Sequence, residues 1–251
     1  MKKHFIKLCG MMVMLLTLAL AMTQSSSADA TPEHPAMLSH QPEQDAPTAT
    51  QVWQPLANKG LNGTVWVISV DGSDLYVGGN FTESADGQVT NLNHIAKYSN
   101  GAWSPLSNAG LNGPVSALLV NGGDLYVGGY FDETADGSVT NLGNIAKYSN
   151  GTWSALPNGG LTGAVMALAF VGNDLYVGGF FSQTGDRSVT NLGNIAKFSS
   201  GAWSALANEG LDGGVFEMAV IGTDLYAGGE NFAYLSAGTW PPISQFGLDD
   251  S

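Results

Sequence analysis

Residues 124–156 read DLYVGGYFDETADGSVTNLGNIAKYSNGTWSAL, and this stretch decides the fold. It holds three landmarks in order: a Leu-Tyr-x-Gly-Gly run at 125–129, an Ile-Ala-Lys-aromatic run at 145–148, and Trp153. The first recurs at 75–79, 175–179 and 225–229, the second at 95–98 and 195–198, and the tryptophan at Trp53, Trp103 and Trp203. The period is fifty residues and does not slip through three units, which marks a tandem array rather than a chance match. Within the second unit, apolar and polar residues alternate with period two over 115–120, 124–130, 144–149 and 152–156, predicting four short strands. Asn100-Gly101 and Asn150-Gly151 supply the two left-handed residues of a tight hairpin turn, while Asp71-Gly72 and Asn121-Gly122 mark a second short connection. No stretch sustains a 3.6-residue period, so helix is expected to be nearly absent.

Four antiparallel strands make a sheet too small to bury both of its faces. Stacking such sheets about a common axis buries the Leu, Val, Ile and Tyr side chains on both sides. The expected fold is therefore all-β: a β-propeller built from four blades of about fifty residues and four strands each. The diglycine fits a place where neighbouring backbones crowd together and no side chain has room. The order Leu-Tyr-Val-Gly-Gly, variable loop, Tyr, then Trp five residues on (Tyr98 and Trp103; Tyr148 and Trp153) resembles the Kelch repeat. With Gly-Gly-x-Phe and Asn-Ile-Ala-Lys-Tyr before Asn-Gly-x-Trp, it is closer to repeats of bacterial exported proteins and fungal cortical polarity-marker proteins. The resemblance covers 53 to about 240 and implies the blade, not an activity.

The fourth unit departs from the pattern. After Gly229 the long loop is missing and the strand resumes almost at once, ending at Trp240 with Pro241 and Pro242 blunting the outer edge. A spare outer strand, 52–56, precedes the first unit. Two arrangements follow: a four-bladed ring closed by that spare strand, or an open half-ring completed by a second chain.

Residues 1–30 read as an export signal, with Lys2, Lys3 and Lys7 before an apolar run from 11 to 22 and small residues at Ala28 and Ala30. Twelve apolar residues are short for crossing about 30 Å of hydrocarbon, so cleavage after Ala30 is favoured over an uncleaved anchor. Cys9, the single cysteine, leaves with the leader, so the mature chain has no disulfide and its core must hold unaided. Residues 31–52 are rich in Pro, Gln, Thr and Ala and read as a flexible linker; His34 and His40 lie there, as linker residues rather than a metal-binding tail. Residues 53–251 form the repeat domain. Losing Lys2, Lys3, Lys7 and Asp29 takes the 21 acidic and 8 basic residues to 20 and 5, a formal charge of −15. Such a field repels nucleic acid and anionic lipid and suits cations or basic partners better; the expected ligand of this secreted or cell-surface module is protein or carbohydrate.

Strand order sends the 81–93, 131–143 and 181–193 loops, with those at 107–113, 157–163 and 207–213, to one face, while the other carries only tight turns. Connections this long usually carry function. The candidates there are Glu83, Asp86, Asn91 and Asn93; Asp132, Glu133, Asp136 and Asn141; and Asp186, Arg187 and Asn191. Tyr130 and Phe180 follow the diglycine where the first unit has Asn80, as recognition aromatics or as blade packing. The carboxylates raise calcium as an alternative, but the spacing matches no EF-hand loop and Asp-Gly is plain turn chemistry, so no cofactor is expected. The recurring Thr-Asn-Leu braces the loop or meets a ligand.

The catalytic inventory is thin. His94 is the one histidine of the folded part and stands where other units have Asn144 and Asn194, so no nucleophile–base pair or three-histidine metal site can form. Acid–base work by two carboxylates needs two different environments, and repeated units supply the same one. A non-catalytic binding module is the leading expectation, ahead of an assembly module pairing edge to edge, a homodimer included, and of a polysaccharide-active enzyme. The leader is checked by intact mass: the exported chain is expected to begin at Thr31, and a mass retaining residues 1–30 contradicts cleavage.

Overall fold

The alternating apolar stretches fold as fifteen strands in the computed structural model, which describes residues 54–230 and 232–236; one compact unit begins at Pro55. Blade 1 comprises β1 (Thr64–Asp71), β2 (Asp74–Asn80), β3 (Ile95–Ser99) and β4 (Ala102–Pro105). Blade 2 repeats them as β5 (Val115–Asn121), β6 (Asp124–Gly129), β7 (Ile145–Ser149) and β8 (Thr152–Ala155). Blade 3 has β9 (Val165–Val171), β10 (Asp174–Gly179), β11 (Ile195–Ser199) and β12 (Ala202–Ala205). Blade 4 has β13 (Val215–Ile221), β14 (Asp224–Gly229) and β15 (Phe232–Leu235). Every sheet is antiparallel with strands in chain order, and the blades follow one another about a common axis as a four-bladed β-propeller whose packed seams are the three between successive blades.

Strand ends differ from the expected ones for local reasons. Asn144 falls outside β7 because its φ of 66° is left-handed, and Leu156 leaves β8 to open a 3-10 turn at Pro157–Gly159. Such single turns also sit at Ala57–Lys59, Ser107–Ala109 and Ala207–Glu209, and they are all the helix in the described residues. The expected hairpin turns form, with Asn100 at φ 51° and Gly101 at φ 80°. The leader, the linker and the Trp240 strand lie outside the described residues, as do residues 52 and 53 of the spare strand; Gln54, Pro55 and Leu56 belong to no strand.

The diglycine sets how blades meet. The inner strands pack β1 on β5, β5 on β9 and β9 on β13. A bulge near the start of each inner strand leaves Val115, Val165 and Val215 directed at the preceding blade. A Cβ on Gly78 would overlap a methyl of Val115, and Gly128 and Gly178 stand in the same relation to Val165 and Val215. The second glycine of each pair faces backbone of its own blade: Gly79 lies against the Thr64 carbonyl and Gly129 against that of Pro114. Around these contacts Ile95, Leu118, Leu125, Val127 and Trp153 bury the seam between blades 1 and 2, with Val67 and Tyr76 against them.

Outer strands are fixed by tryptophan. Trp103 Nε1 donates to the Ala57 carbonyl at 3.0 Å, Trp153 Nε1 to Ser107 at 2.9 Å and Trp203 Nε1 to Pro157 at 3.0 Å, tying each outer strand to the 3-10 turn that enters its blade. Each indole also packs on the aromatic of the Ile-Ala-Lys run, Tyr148–Trp153 having ring centroids 4.8 Å apart. The lysine of that run pairs with the aspartate opening the second strand: Lys97–Asp74 at 2.6 Å, Lys147–Asp124 at 2.7 Å and Lys197–Asp174 at 3.3 Å. Ser99 and Ser199 donate to Asp74 and Asp174 as well. Gly128→Ala is expected to overpack the seam and cost about 1–3 kcal/mol of stability. Urea unfolding monitored by tryptophan fluorescence measures this, and an unchanged midpoint refutes the crowding.

Candidate ligand-binding face

The long connections do gather on one face, and they are stitched to each other blade by blade. Isolated bridges join Leu61 to Ser84, Leu111 to Thr134 and Leu161 to Thr184, so in blades 1 to 3 the entering loop lies beside the second-to-third-strand loop of the same blade. The buried hydroxyls of Ser84, Thr134 and Thr184 are the pivots. Thr134 Oγ1 donates to Asp136 Oδ1 at 2.8 Å and accepts the Val139 amide at 3.1 Å. Asp136 Oδ1 also takes the Ser138 amide at 3.0 Å and its hydroxyl at 2.7 Å, while Asn108 Nδ2 donates to Oδ2 at 3.1 Å. Asp186 repeats the pattern with Thr184, Ser188 and Asn158, and Asp86 with Ser84, the Gln88 amide and Asn58.

These bonds stabilise the ionised form. The Ser138 hydroxyl above all, then the Ser138 amide and Thr134, hold the Asp136 carboxyl well below the usual carboxylate range; Ser188 leads for Asp186 and Ser84 for Asp86. The three aspartates thus act first as loop braces. Their partners Asn58, Asn108 and Asn158 escaped the sequence reading, though their fifty-residue spacing marks them.

The other expected site residues divide by how far the fold engages them. Asn62 and Asn112 reach across the same seam: Asn112 Nδ2 donates to Asp132 Oδ1 at 2.5 Å, and Asn112 Oδ1 accepts the Asp132 amide at 3.1 Å and that of Glu133 at 3.4 Å. Glu83 and Glu133 are half-buried, their carbonyls accepting the Asn62 and Asn112 amides. Asn93 clamps two blades, its Nδ2 donating to Ala109 O at 2.7 Å. Asn91, Asn141 and Asn191 sit at φ 61°, 59° and 59°, a left-handed position asparagine tolerates, and are exposed. The leucines after them are fully buried, which makes the Thr-Asn-Leu run a loop anchor. Phe180 packs edge-on against Phe216, centroids 5.2 Å apart. Tyr130, in the equivalent place, is 70% exposed.

Arg187 stands apart. Gly87 and Gly137 hold the corresponding turn position at φ 71° and 70°, with amides donating to Ser84 O and Thr134 O. Arg187 makes the same bond to Thr184 O, at 2.9 Å, in the same left-handed conformation (φ 62°) with its side chain exposed. His94 is half-buried at φ 68°; burial pushes its imidazole below the usual value, and Nδ1 has no partner among the described residues. Asn144 and Asn194 at the same place donate to Leu161 O and Leu211 O. Among the described residues, no three acidic, histidine or cysteine side chains converge as a metal-binding group, and no helix is long and apolar enough to cross a membrane.

No family model matches this sequence, and no curated protein does either. Among solved structures the chain is similar to a computationally designed protein, Ika4, at 14% identity and a TM-score of 0.43, over 73% of this chain and 96% of that one. It is also similar to virginiamycin B lyase from Staphylococcus aureus at 14% identity and a TM-score of 0.45, over 72% of this chain and 57% of the lyase.

The depressed carboxyls give the loops a defined acid limit. A group whose folded pKa lies below its unfolded value contributes above the unfolded value and loses that contribution as pH falls through the folded one. An ordinary aspartate titrates near 3.8, so the bracing is complete above that and fails only in more acidic solution. Amide hydrogen exchange at Ser138 and Val139 is expected to stay slow at pH 5 and to speed up in Asp136→Ala at the same pH. Equal rates in both proteins contradict the brace.

Proposed function

We propose that this chain is an exported, non-catalytic recognition module of Kelch-like repeat type, binding protein or carbohydrate through its long-loop face without a cofactor. The observation that carries this reading is Arg187. An arginine replaces the glycine that the left-handed turn favours, at a cost of about 1 kcal/mol or more. Among the described residues its side chain has no partner that repays the strain, and it is exposed on the face where the blades' loops gather. Lys59, Ala109 and Glu209 share this left-handed conformation, so it is the strain together with an exposed guanidinium on the long-loop face that points to a contact outside the chain. Tyr130 supports the same face: it presents most of its ring to solvent, and tyrosine offers contact area together with a hydroxyl at low entropic cost.

A catalytic role lacks comparable support. The aspartates that recur are consumed in bracing, each in the same environment, and His94 has no carboxylate or nucleophile bonded to it among the described residues. Repetition instead suits several equivalent contacts that add through avidity.

The test compares two properties of one substitution. Arg187→Gly is expected to raise the unfolding midpoint by a few degrees while reducing binding about tenfold on a glycan array or to a captured protein ligand. Tyr130→Ala is expected to weaken binding without raising stability. Arg187→Gly binding as well as the parent removes the basis of this reading.

A further inference from the structure

Three seams between blades are built alike, and half of a fourth seam stands open at each end of the array. On blade 4, Gly228 holds the position of Gly78, Gly128 and Gly178. No described residue lies within 4 Å of a Cβ placed on it, whereas each of the other three would meet a valine methyl of the next blade. On blade 1, Val65 holds the position of Val115, Val165 and Val215. Those three are 0%, 0% and 2% exposed; Val65 is 39% exposed. The difference continues along the strand: Ile68 is 58% exposed where Leu118 and Met218 are each 8%, and Val70 is largely exposed too. At the opposite end Ile221, in register with Val171 of the third seam, is 67% exposed. One end therefore offers the valine knob and the other the glycine recess, with the same partners that close the three finished seams.

We propose that two copies of this chain join head to tail, with Val65 of each seated over Gly228 of the other, closing four and four blades into one eight-bladed ring. The surface and its occupant are fixed by continuity: the required partner for Gly228 is the inner strand of a following blade, and the required cover for Val65 is the diglycine of a preceding one. A second copy supplies both at once. The two ends differ, so the contact is heterologous, and such contacts make rings where the rotation closes. Two copies give eight blades, the upper end of the common range; three would exceed it. Each seam removes an exposed apolar face from water at both joints, which a single chain leaves uncovered. This inference is independent of what the loop face binds.

Size-exclusion chromatography with light scattering on the mature chain tests it. The expected mass is twice that of one chain. Gly228→Val fills the recess without displacing a described residue of its own chain, so it is expected to keep the far-UV circular dichroism spectrum and to run at the mass of one chain. Val65→Asp, at an exposed position, is expected to do the same and keeps the test intact should the first variant misfold. Mixed in equal amounts the two variants retain one sound seam, and a heterodimer is expected to reappear at high concentration. A parent protein that runs as one chain throughout overturns the proposal, as does double mass kept by both variants. Masses that climb past two chains overturn the ring.

Discussion

The contact between a valine at the start of each inner strand and the first glycine of the preceding blade's Leu-Tyr-x-Gly-Gly run governs the architecture. No side chain larger than hydrogen leaves room for the incoming methyl, as the overlap of a Cβ on Gly78 with Val115 shows. Because the valine enters close to the axis, it sets how near successive inner strands approach and therefore how the outer strands fan apart. The apolar residues of the second and third strands then fill the wedge between blades, and buried residues such as Val127, Ile145 and Val177 take their places from it. Packing of this density tolerates little change in volume, so the rest of the blade is fitted to one contact.

Polar groups do a separate job at the two rims. On one, lysine, aspartate and serine close the outer ends of the second and third strands beside tight turns. On the other, asparagine and aspartate side chains sew two loops into one layer. Most of the acidity seen there is therefore committed to loop geometry. The units disagree at Tyr130, where the third has Phe180, and at Arg187, where the first two have glycine, and the Tyr130 and Arg187 side chains are left exposed on that face.

The repeat, the strands, the tight turns and the absence of long helix are all legible in the sequence, because period-two alternation and Asn-Gly turns are local signals. The division into a crowded and an open face was legible too, since loop length follows from spacing. The roles of the individual loop carboxylates were not. Asp136 bonds to Asn108, twenty-eight residues away, and nothing local to either residue reports the pairing. Asn93 and Phe180 read as ligand-binding candidates from their place on the loop face and after the diglycine. In the fold, Asn93 is a clamp between blades and Phe180 packs on Phe216 across sequence distances that a pattern cannot span. The strain at Arg187 becomes visible only with a backbone angle.

One difference among the blades bears on how the protein comes apart. In blades 1 to 3 a lysine–aspartate pair fastens the middle of the sheet, but in blade 4 Tyr234 occupies the lysine's place and stacks on Tyr226 at 5.6 Å. Arrays whose units touch only their neighbours lose structure from the weakest unit inward. Blade 4, which lacks that pair, is therefore the unit from which unravelling is expected to start, and a protease acting under mild destabilisation is expected to trim the protein in steps of about fifty residues.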